Sequence, residues 1–81
     1  MRVTVRMFAG ARDAVGTDHA EVDLPDAATV EQLRAAMHKQ LPGLAKLLPN
    51  CTIAINEEYA ADDSPVPGDA TIACIPPLSG G

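Results

Sequence analysis

The residues with the clearest chemical potential stand in the last segment of the sequence, PPLSGG, at residues 76–81. Pro76 and Pro77 lack backbone N–H donors and fix φ, so they end a strand and hold the chain extended. Gly80 and Gly81 have no Cβ, so they fit a narrow channel. Fully extended, the segment reaches roughly 20 Å at ~3.3–3.6 Å per residue. We interpret it as an arm that suits insertion into another protein's active site.

The reactive group at the tip of this arm is the carboxylate of Gly81. A carboxylate is a poor electrophile until it is activated, for instance as an acyl-adenylate, and that activation needs ATP. The sequence has no GxxxxGK[ST] motif and no glycine-rich turn between a strand and a helix. We therefore expect a separate enzyme to use the ATP, and we expect this chain to bind no cofactor. An enzyme acting alone is the least favoured class, because no nucleophile, base and oxyanion donor converge.

The histidines and cysteines do not form a metal motif. His19 and His38 stand alone, and Cys51 and Cys74 are not part of a CxxC pair. A zinc site would therefore lack ligands at a workable spacing, and we predict no metal site. We expect both thiols to be buried rather than joined in a disulfide.

Composition limits the classes of partner. The 81 residues carry a formal net charge of −5, and Phe8 and Tyr59 are the only large aromatic residues. We expect one domain with an aliphatic core. Nucleic acid and an anionic membrane surface are disfavoured because both need a basic patch. No apolar run approaches the ~20 residues of a membrane span, and the N-terminus lacks a signal-peptide pattern, so we expect a cytoplasmic protein.

The remaining elements must position the arm. Alternating apolar residues predict strands at residues 2–8, 20–24, 51–55 and 70–75, with a very short strand starting at Tyr59. Residues 9–19 are expected to form a loop that can include one helical turn. Thr29 and Gln32 have the spacing of a capping box, which predicts a helix that ends at Pro42 and Gly43.

The order strand, strand, helix, strand, short strand, strand predicts an α+β domain with the helix on one face of a mixed sheet. The β-grasp, or ubiquitin-like roll, has this order, and its first and last strands lie parallel in the centre. We therefore expect a β-grasp domain at residues 1–75 and an extended C-terminal tail at residues 76–81.

The alternation also predicts which side chains lie on the uncovered face of the sheet. If the helix covers Val3, Val5 and Met7, then Phe8 and Ile75 lie on the opposite face, on adjacent strands. A contiguous apolar patch is more often a protein interface. Partial cover by loops is equally compatible with the sequence.

Two segments resemble a known family. PPLSGG resembles the C-terminal signature of the small, sulfur-carrying subunit of molybdopterin synthase, the MoaD family. FAGARD, at residues 8–13, is similar to that family's Phe-Ala-x-x-Arg-acidic segment, and Asn56 and the PGD turn at residues 67–69 also fit. The resemblance covers the whole chain, and its specific parts are the two ends.

The resemblance implies a β-grasp fold and a cycle with two partners. An adenylyltransferase resembling ubiquitin E1 would adenylate Gly81 with ATP, and sulfur transfer would give a thiocarboxylate. The tail would then enter the large synthase subunit, whose lysine-containing site binds the cyclic pyranopterin precursor, within a heterotetramer. The resemblance assigns the chemistry to Gly81 and Gly80. The residues that it places against partners are Phe8, Tyr59, Ile75, Pro76, Pro77, Leu78 and Ser79.

Three alternatives remain open on the sequence. The chain could carry sulfur for another pathway, such as thiamine or cysteine synthesis, although thiamine carriers are typically shorter and lack the Phe-Ala-x-x-Arg segment. It could be a protein modifier that forms isopeptide bonds, as ubiquitin does. It could also be a binding module whose tail has no role.

Overall fold

The computed structural model describes residues 1–77, which form a five-stranded mixed sheet with one main helix packed on it. The strands are β1 (Arg2–Met7), β2 (His19–Asp23), β3 (Thr52–Ile55), β4 (Glu58–Tyr59) and β5 (Ile72–Ile75). The helices are α1 (Ala9–Val15) and α2 (Val30–Gln40), and 3₁₀ turns follow at Pro42–Leu44 and Leu48–Asn50. The predicted α+β class is confirmed.

The strand order across the sheet is β2-β1-β5-β3-β4. β1 and β5 run parallel, with Val5 opposite Ile72 and Met7 opposite Cys74. The other pairs are antiparallel. The last strand of the described chain therefore lies at the centre of the sheet beside the first, as the β-grasp prediction requires.

The core lies between α2 and one face of the sheet, and it is aliphatic as the composition predicts. The predicted inward residues of β1 are all buried, with exposures no greater than 3% at Val3, Val5 and Met7. On α2, Leu33 and Met37 have no exposed surface. Fully burying one such side chain contributes roughly 1.5–3 kcal/mol, so the contact between α2 and the sheet is a main source of folding free energy.

The start of α2 confirms the predicted capping box. The backbone N–H of Thr29 donates to Oε1 of Gln32 at 2.9 Å, and the Gln32 N–H donates to Oγ1 of Thr29 at 3.4 Å. These bonds satisfy donors that have no partner within the helix. The helix ends at Gln40, two residues before the proline that was expected to stop it.

The prediction of a loop at residues 9–19 is wrong for its first half, because Ala9–Val15 form α1. Alanine has the highest helix propensity, and Ala11 is fully buried in the core. Gly16 ends the helix at φ 87°, and its N–H donates to the Arg12 carbonyl at 2.8 Å. The helix is only seven residues long and has no side-chain N-cap, so it lacks the usual sequence signals.

Strand boundaries shift by one or two residues from the predicted ones. β1 ends at Met7 because Phe8 already serves as the N-cap residue of α1. β5 begins at Ile72 because the N–H of Thr71 donates to the side chain of Asn56, at 2.9 Å, rather than to a strand. These shifts do not alter which side chains face the core.

Two kinds of feature are missing from the described part of the chain. No helix within residues 1–77 combines the length and apolar character needed to cross a membrane. In the same range, no three His, Cys, Asp or Glu side chains come together as the ligands of a metal ion would.

Candidate docking face and exit of the C-terminal arm

Strand register places four residues in a row on the face of the sheet that α2 leaves open. Arg6 of β1 lies opposite Ala73 of β5, Ala73 lies opposite Ala54 of β3, and Ala54 lies opposite Tyr59 of β4. Paired residues project from the same face of a sheet. The row therefore has large side chains at its two ends and two methyl groups in its middle.

This row is part of a surface hollow of about 360 Å³. We call it the docking hollow, and the residues that line it are Arg6, Phe8, Ala54, Glu57, Tyr59, Thr71, Ala73 and Ile75. The two alanines provide its floor because they are the smallest side chains of the set. A hollow with a small-residue floor and larger residues around it can receive a side chain from another molecule.

The three apolar residues predicted to face a partner all line the docking hollow. Phe8 is 41% exposed and Tyr59 is 79% exposed, and Ile75 at the end of β5 is half-buried. Of the two interpretations that the sequence left open, the structure therefore favours a contiguous patch over cover by loops. The role of these residues in contacting a partner stays a prediction.

The predicted arm leaves the domain beside this hollow. Ile75, the last residue of β5, lines the hollow, and Pro76 and Pro77 follow it directly. Pro76 is buried within the chain and Pro77 is exposed, so the first proline anchors the base of the arm and only the second presents its ring. The other residues predicted to act in the arm lie outside the described residues, namely Leu78, Ser79, Gly80 and Gly81.

The side chain of Arg6 places a positive charge at one side of the docking hollow. The guanidinium carbon of Arg6 lies 5.5 Å from the centroid of the Phe8 ring, which is within cation–π distance. The neighbours of Arg6 on the adjacent strands are His19 and Ala73, and neither offers a carboxylate. Arg2, on the same face of β1, instead contacts the Asp23 carboxylate at 2.9 Å.

Glu57, on the tight turn between β3 and β4, places a negative charge at another part of the rim. Asn56 and Glu57 form this turn, and both have positive φ, at 50° and 70°. Two central residues with positive φ are the signature of a type I′ hairpin turn. Asn56 tolerates that conformation, but for Glu57 it costs roughly 1–2 kcal/mol. The turn is held in place because the Asn56 N–H donates to the Thr71 carbonyl at 2.8 Å.

Sequence reasoning did not identify these two charged residues as part of a site. Alternation places Arg6 on the same face as Phe8, and this signal was available. The approach of Glu57 to the same hollow depends on the turn geometry and on long-range strand pairing, which the sequence does not reveal.

The thiols of the two cysteines lie in the hydrophobic core. Cys51 and Cys74 are both free and buried, as predicted. The pKa of the Cys74 thiol is raised to about 12, mainly by burial and in smaller part by the neighbouring Cys51. A buried thiol with such a high pKa is a poor nucleophile, so the Cys74 thiol is not a reactive site.

Fold and site together define a ubiquitin-like β-grasp domain whose central last strand leads into an arm beside an apolar face. The chain belongs to the ThiS family, whose model matches residues 5–81. It is 34% identical over 83 residues to the molybdopterin synthase sulfur carrier subunit of Chlamydomonas reinhardtii, with 100% of both chains covered. The resemblance that the sequence suggested is thereby confirmed.

Solved structures agree with this assignment. SAMP1 from Haloferax volcanii superposes with a TM-score of 0.86 at 24% identity over 100% of both chains, which shows the shared fold. A chain from the complex of subunits 1 and 2 of the molybdopterin-converting factor from Helicobacter pylori gives a TM-score of 0.70. It is 27% identical, and 100% of both chains is covered.

Proposed function

We propose that this chain is the sulfur carrier subunit of a molybdopterin synthase and acts in the cytoplasm. The observation that carries the proposal is the place of β5, which lies at the centre of the sheet and ends beside the docking hollow. A partner seated on that hollow is in position to take up the arm. Full-length similarity to curated sulfur carrier subunits supports the same role.

The proposed cycle begins with activation of the Gly81 carboxylate by a partner resembling the ubiquitin E1 enzyme. That partner uses ATP to form an acyl-adenylate and releases pyrophosphate. A sulfur donor then displaces AMP from the acyl group and leaves a thiocarboxylate on Gly81. This chain contributes the substrate carboxylate and the slim arm, and it binds no ATP itself.

In the second half of the cycle the arm enters the large synthase subunit. Residues Pro77 to Gly80 would occupy a channel of that subunit, and the thiocarboxylate would deliver its sulfur to the cyclic pyranopterin precursor. Gly81 then returns to a carboxylate, ready for another round. A dithiolene needs two sulfur atoms, so two charged carriers would react for each product. The family resemblance implies two carriers on a dimer of large subunits, which is a heterotetramer.

The test is the intact mass of the purified chain after co-expression with the activating enzyme and a sulfur source. We expect the wild-type chain to exchange one oxygen for one sulfur, and we expect a variant lacking Gly81 to show no exchange. A well-characterised carrier treated in parallel serves as the positive control. If that control reacts and the wild-type chain does not, the proposal is wrong.

Identification of the bound partner separates this function from the alternatives. The proposal predicts co-purification with a large molybdopterin synthase subunit. Co-purification with a thiazole synthase would instead indicate a thiamine pathway. Conjugates that survive reducing denaturation and leave Gly-Gly on target lysines would indicate a protein modifier. An unchanged phenotype after deletion of Gly80 and Gly81 would indicate a binding module.

A further inference from the structure

The rim of the docking hollow carries one positive and one negative side chain at different places. Arg6 lies on β1 and contacts Phe8, whereas Glu57 lies on the turn between β3 and β4, so β5 separates β1 from the hairpin that carries Glu57. Neither residue forms an ion pair with any other among residues 1–77. Two opposite charges that face one hollow without neutralising each other leave both free to pair with another molecule.

The fold restrains the side chain of Arg6 and the backbone of Glu57. The cation–π contact with Phe8 restrains Arg6. The turn that carries Glu57 is fixed through Asn56, since the Thr71 N–H also donates to Oδ1 of Asn56 at 2.9 Å. A strained residue that persists at a surface hollow is a reason to look for a role at that position.

The floor of the hollow between the two charged residues is apolar and consists of small side chains. Ala54 and Ala73 are adjacent across β3 and β5, and their methyl groups leave about 360 Å³ open between the rim residues. This volume accommodates one apolar side chain of a partner in contact with Phe8 and Tyr59. Anchor side chains that fill well-packed pockets near the centre of an interface supply most of the binding energy.

We propose that Arg6 and Glu57 fix the orientation of the large synthase subunit on this chain. The partner places an apolar side chain on the Ala54–Ala73 floor, a carboxylate against Arg6 and a basic group against Glu57. The reversed orientation brings like charges together and is excluded. This proposal rests on the proposed function, because it takes the large subunit as the occupant.

The first experiment measures the dissociation constant of the large synthase subunit encoded in the same genome at low and high salt. We expect Arg6→Glu and Glu57→Lys each to weaken binding at least tenfold at low salt. The effect should shrink at high salt because exposed charges are screened beyond ~10 Å at 0.1 M. The double variant Arg6→Glu/Glu57→Lys retains the wild-type net charge, and we expect it to bind more weakly than either single variant.

Charge-matched variants on the other side of the molecule provide the controls. Lys39→Glu on α2 changes the net charge as Arg6→Glu does, and Asp63→Lys changes it as Glu57→Lys does. Both residues are exposed and do not line the docking hollow. We expect each to leave binding within about twofold of wild type. Equal weakening by the controls, or wild-type binding by the double variant, would show that only net charge matters and would overturn the proposal.

A second experiment tests the floor without changing charge. Ala73→Leu fills the hollow, whereas Thr4→Leu adds the same side chain to the same face of the sheet outside the hollow. We expect Ala73→Leu to weaken binding at least tenfold and Thr4→Leu to have little effect, with both variants melting as wild type does. Equal binding by the two variants would contradict the proposed seat for a side chain.

The outcomes separate this inference from the function on which it rests. If the wild-type chain does not bind the large subunit, the proposed function fails. If the wild type binds and none of the hollow variants weakens binding, the function stands and the inference fails. If the hollow variants change only self-association, measured by sedimentation, the occupant is a second copy of this chain and the inference is also wrong.

Discussion

The side chain of Gln40 forms two hydrogen bonds with the backbone of Asp23. Its Oε1 accepts from the Asp23 N–H at 3.0 Å, and its Nε2 donates to the Asp23 carbonyl at 2.9 Å. β2 is an edge strand, because it pairs with β1 alone in the described sheet. The carboxamide thus pairs with the free edge as a neighbouring strand would, and it joins the last turn of α2 to the sheet.

Replacement of Gln40 tests this link. We expect Gln40→Ala to lower the free energy of unfolding by about 1 kcal/mol, since two exposed hydrogen bonds are lost. Gln40→Glu loses the donor and adds a negative charge near Asp23, so it should destabilise at least as much at neutral pH. Urea denaturation measures both values. Lys39→Ala, at the neighbouring exposed position, is the control, and an equal effect there would remove any special role of the Gln40 carboxamide.

Asn56 offers a second test, because it joins the β3–β4 turn to the start of β5. Asn56→Ala removes the acceptor for the Thr71 N–H and places an alanine at φ 50°. We expect a loss of about 1–3 kcal/mol in the free energy of unfolding. Asn56→Asp keeps the acceptor and tolerates the conformation, so it should remain close to wild type. Thermal unfolding of the pair checks the difference, and equally unstable variants would contradict the hydrogen-bond explanation.

Two glycines give opposite expectations for the same substitution. A Cβ at Gly43 would lie 2.7 Å from the backbone oxygen of Ala14, so Gly43→Ala forces the first 3₁₀ turn away from α1. We expect that change to cost about 1–3 kcal/mol. At Gly10, within α1, the nearest atom to a new Cβ is Cδ1 of Leu47 at 3.8 Å, an ordinary contact. Gly10→Ala should therefore stabilise by about 0.5–1 kcal/mol.

Calorimetric melting temperatures of the two alanine variants decide this comparison. The prediction requires a lower value for Gly43→Ala and a higher value for Gly10→Ala than for wild type. A tolerated alanine at position 43 would mean that the contact between the first 3₁₀ turn and α1 relaxes without cost.

Ionisation of the Cys74 thiol is expected to lower the free energy of unfolding at alkaline pH. Its pKa is raised from 9.0 to about 12 by burial first and by Cys51 second. Between these values the unfolded chain has lost the thiol proton and the folded chain keeps it. Stability therefore falls as pH rises, by about 1.4 kcal/mol per pH unit for this one group, and the full contribution is present below pH 9.

The measurement is the free energy of unfolding against pH, in urea, for the wild type and for Cys74→Ala. Other groups also titrate in this range, so the difference between the two slopes isolates the thiol. We expect the variant to be less stable at neutral pH, because it leaves a cavity, but to lose stability less steeply above pH 9. Parallel slopes would show that the Cys74 thiol ionises without unfolding.

Local patterns in the sequence predicted most of the fold. The alternation in β1 and the capping box at Thr29 depend only on neighbours in the chain, and both are confirmed. α1 was missed because a short helix anchored by the burial of Ala11 has no periodic signal. The bond between Gln40 and Asp23 joins residues far apart in sequence, and no spacing rule predicts it.

The candidate site was predictable in part for the same reason. Phe8 and Ile75 followed from strand alternation, and Tyr59 followed from the family resemblance. The positions of Arg6 and Glu57 at the rim could not be predicted from the sequence. Bringing both residues to one hollow requires the register of four strands. The chemistry assigned to Gly81 comes from residue type and resemblance, and it stays a prediction that the intact-mass experiment tests.

The parallel pairing of β1 with β5 has a consequence for protein synthesis. Val5 and Ile72 are both fully buried and lie opposite each other, although the ribosome makes them at opposite ends of the domain. A nascent chain without β5 lacks the central strand of its sheet, so the docking hollow forms only after that strand has emerged. A partner that binds the docking hollow, as proposed above, would therefore bind finished chains and not incomplete translation products.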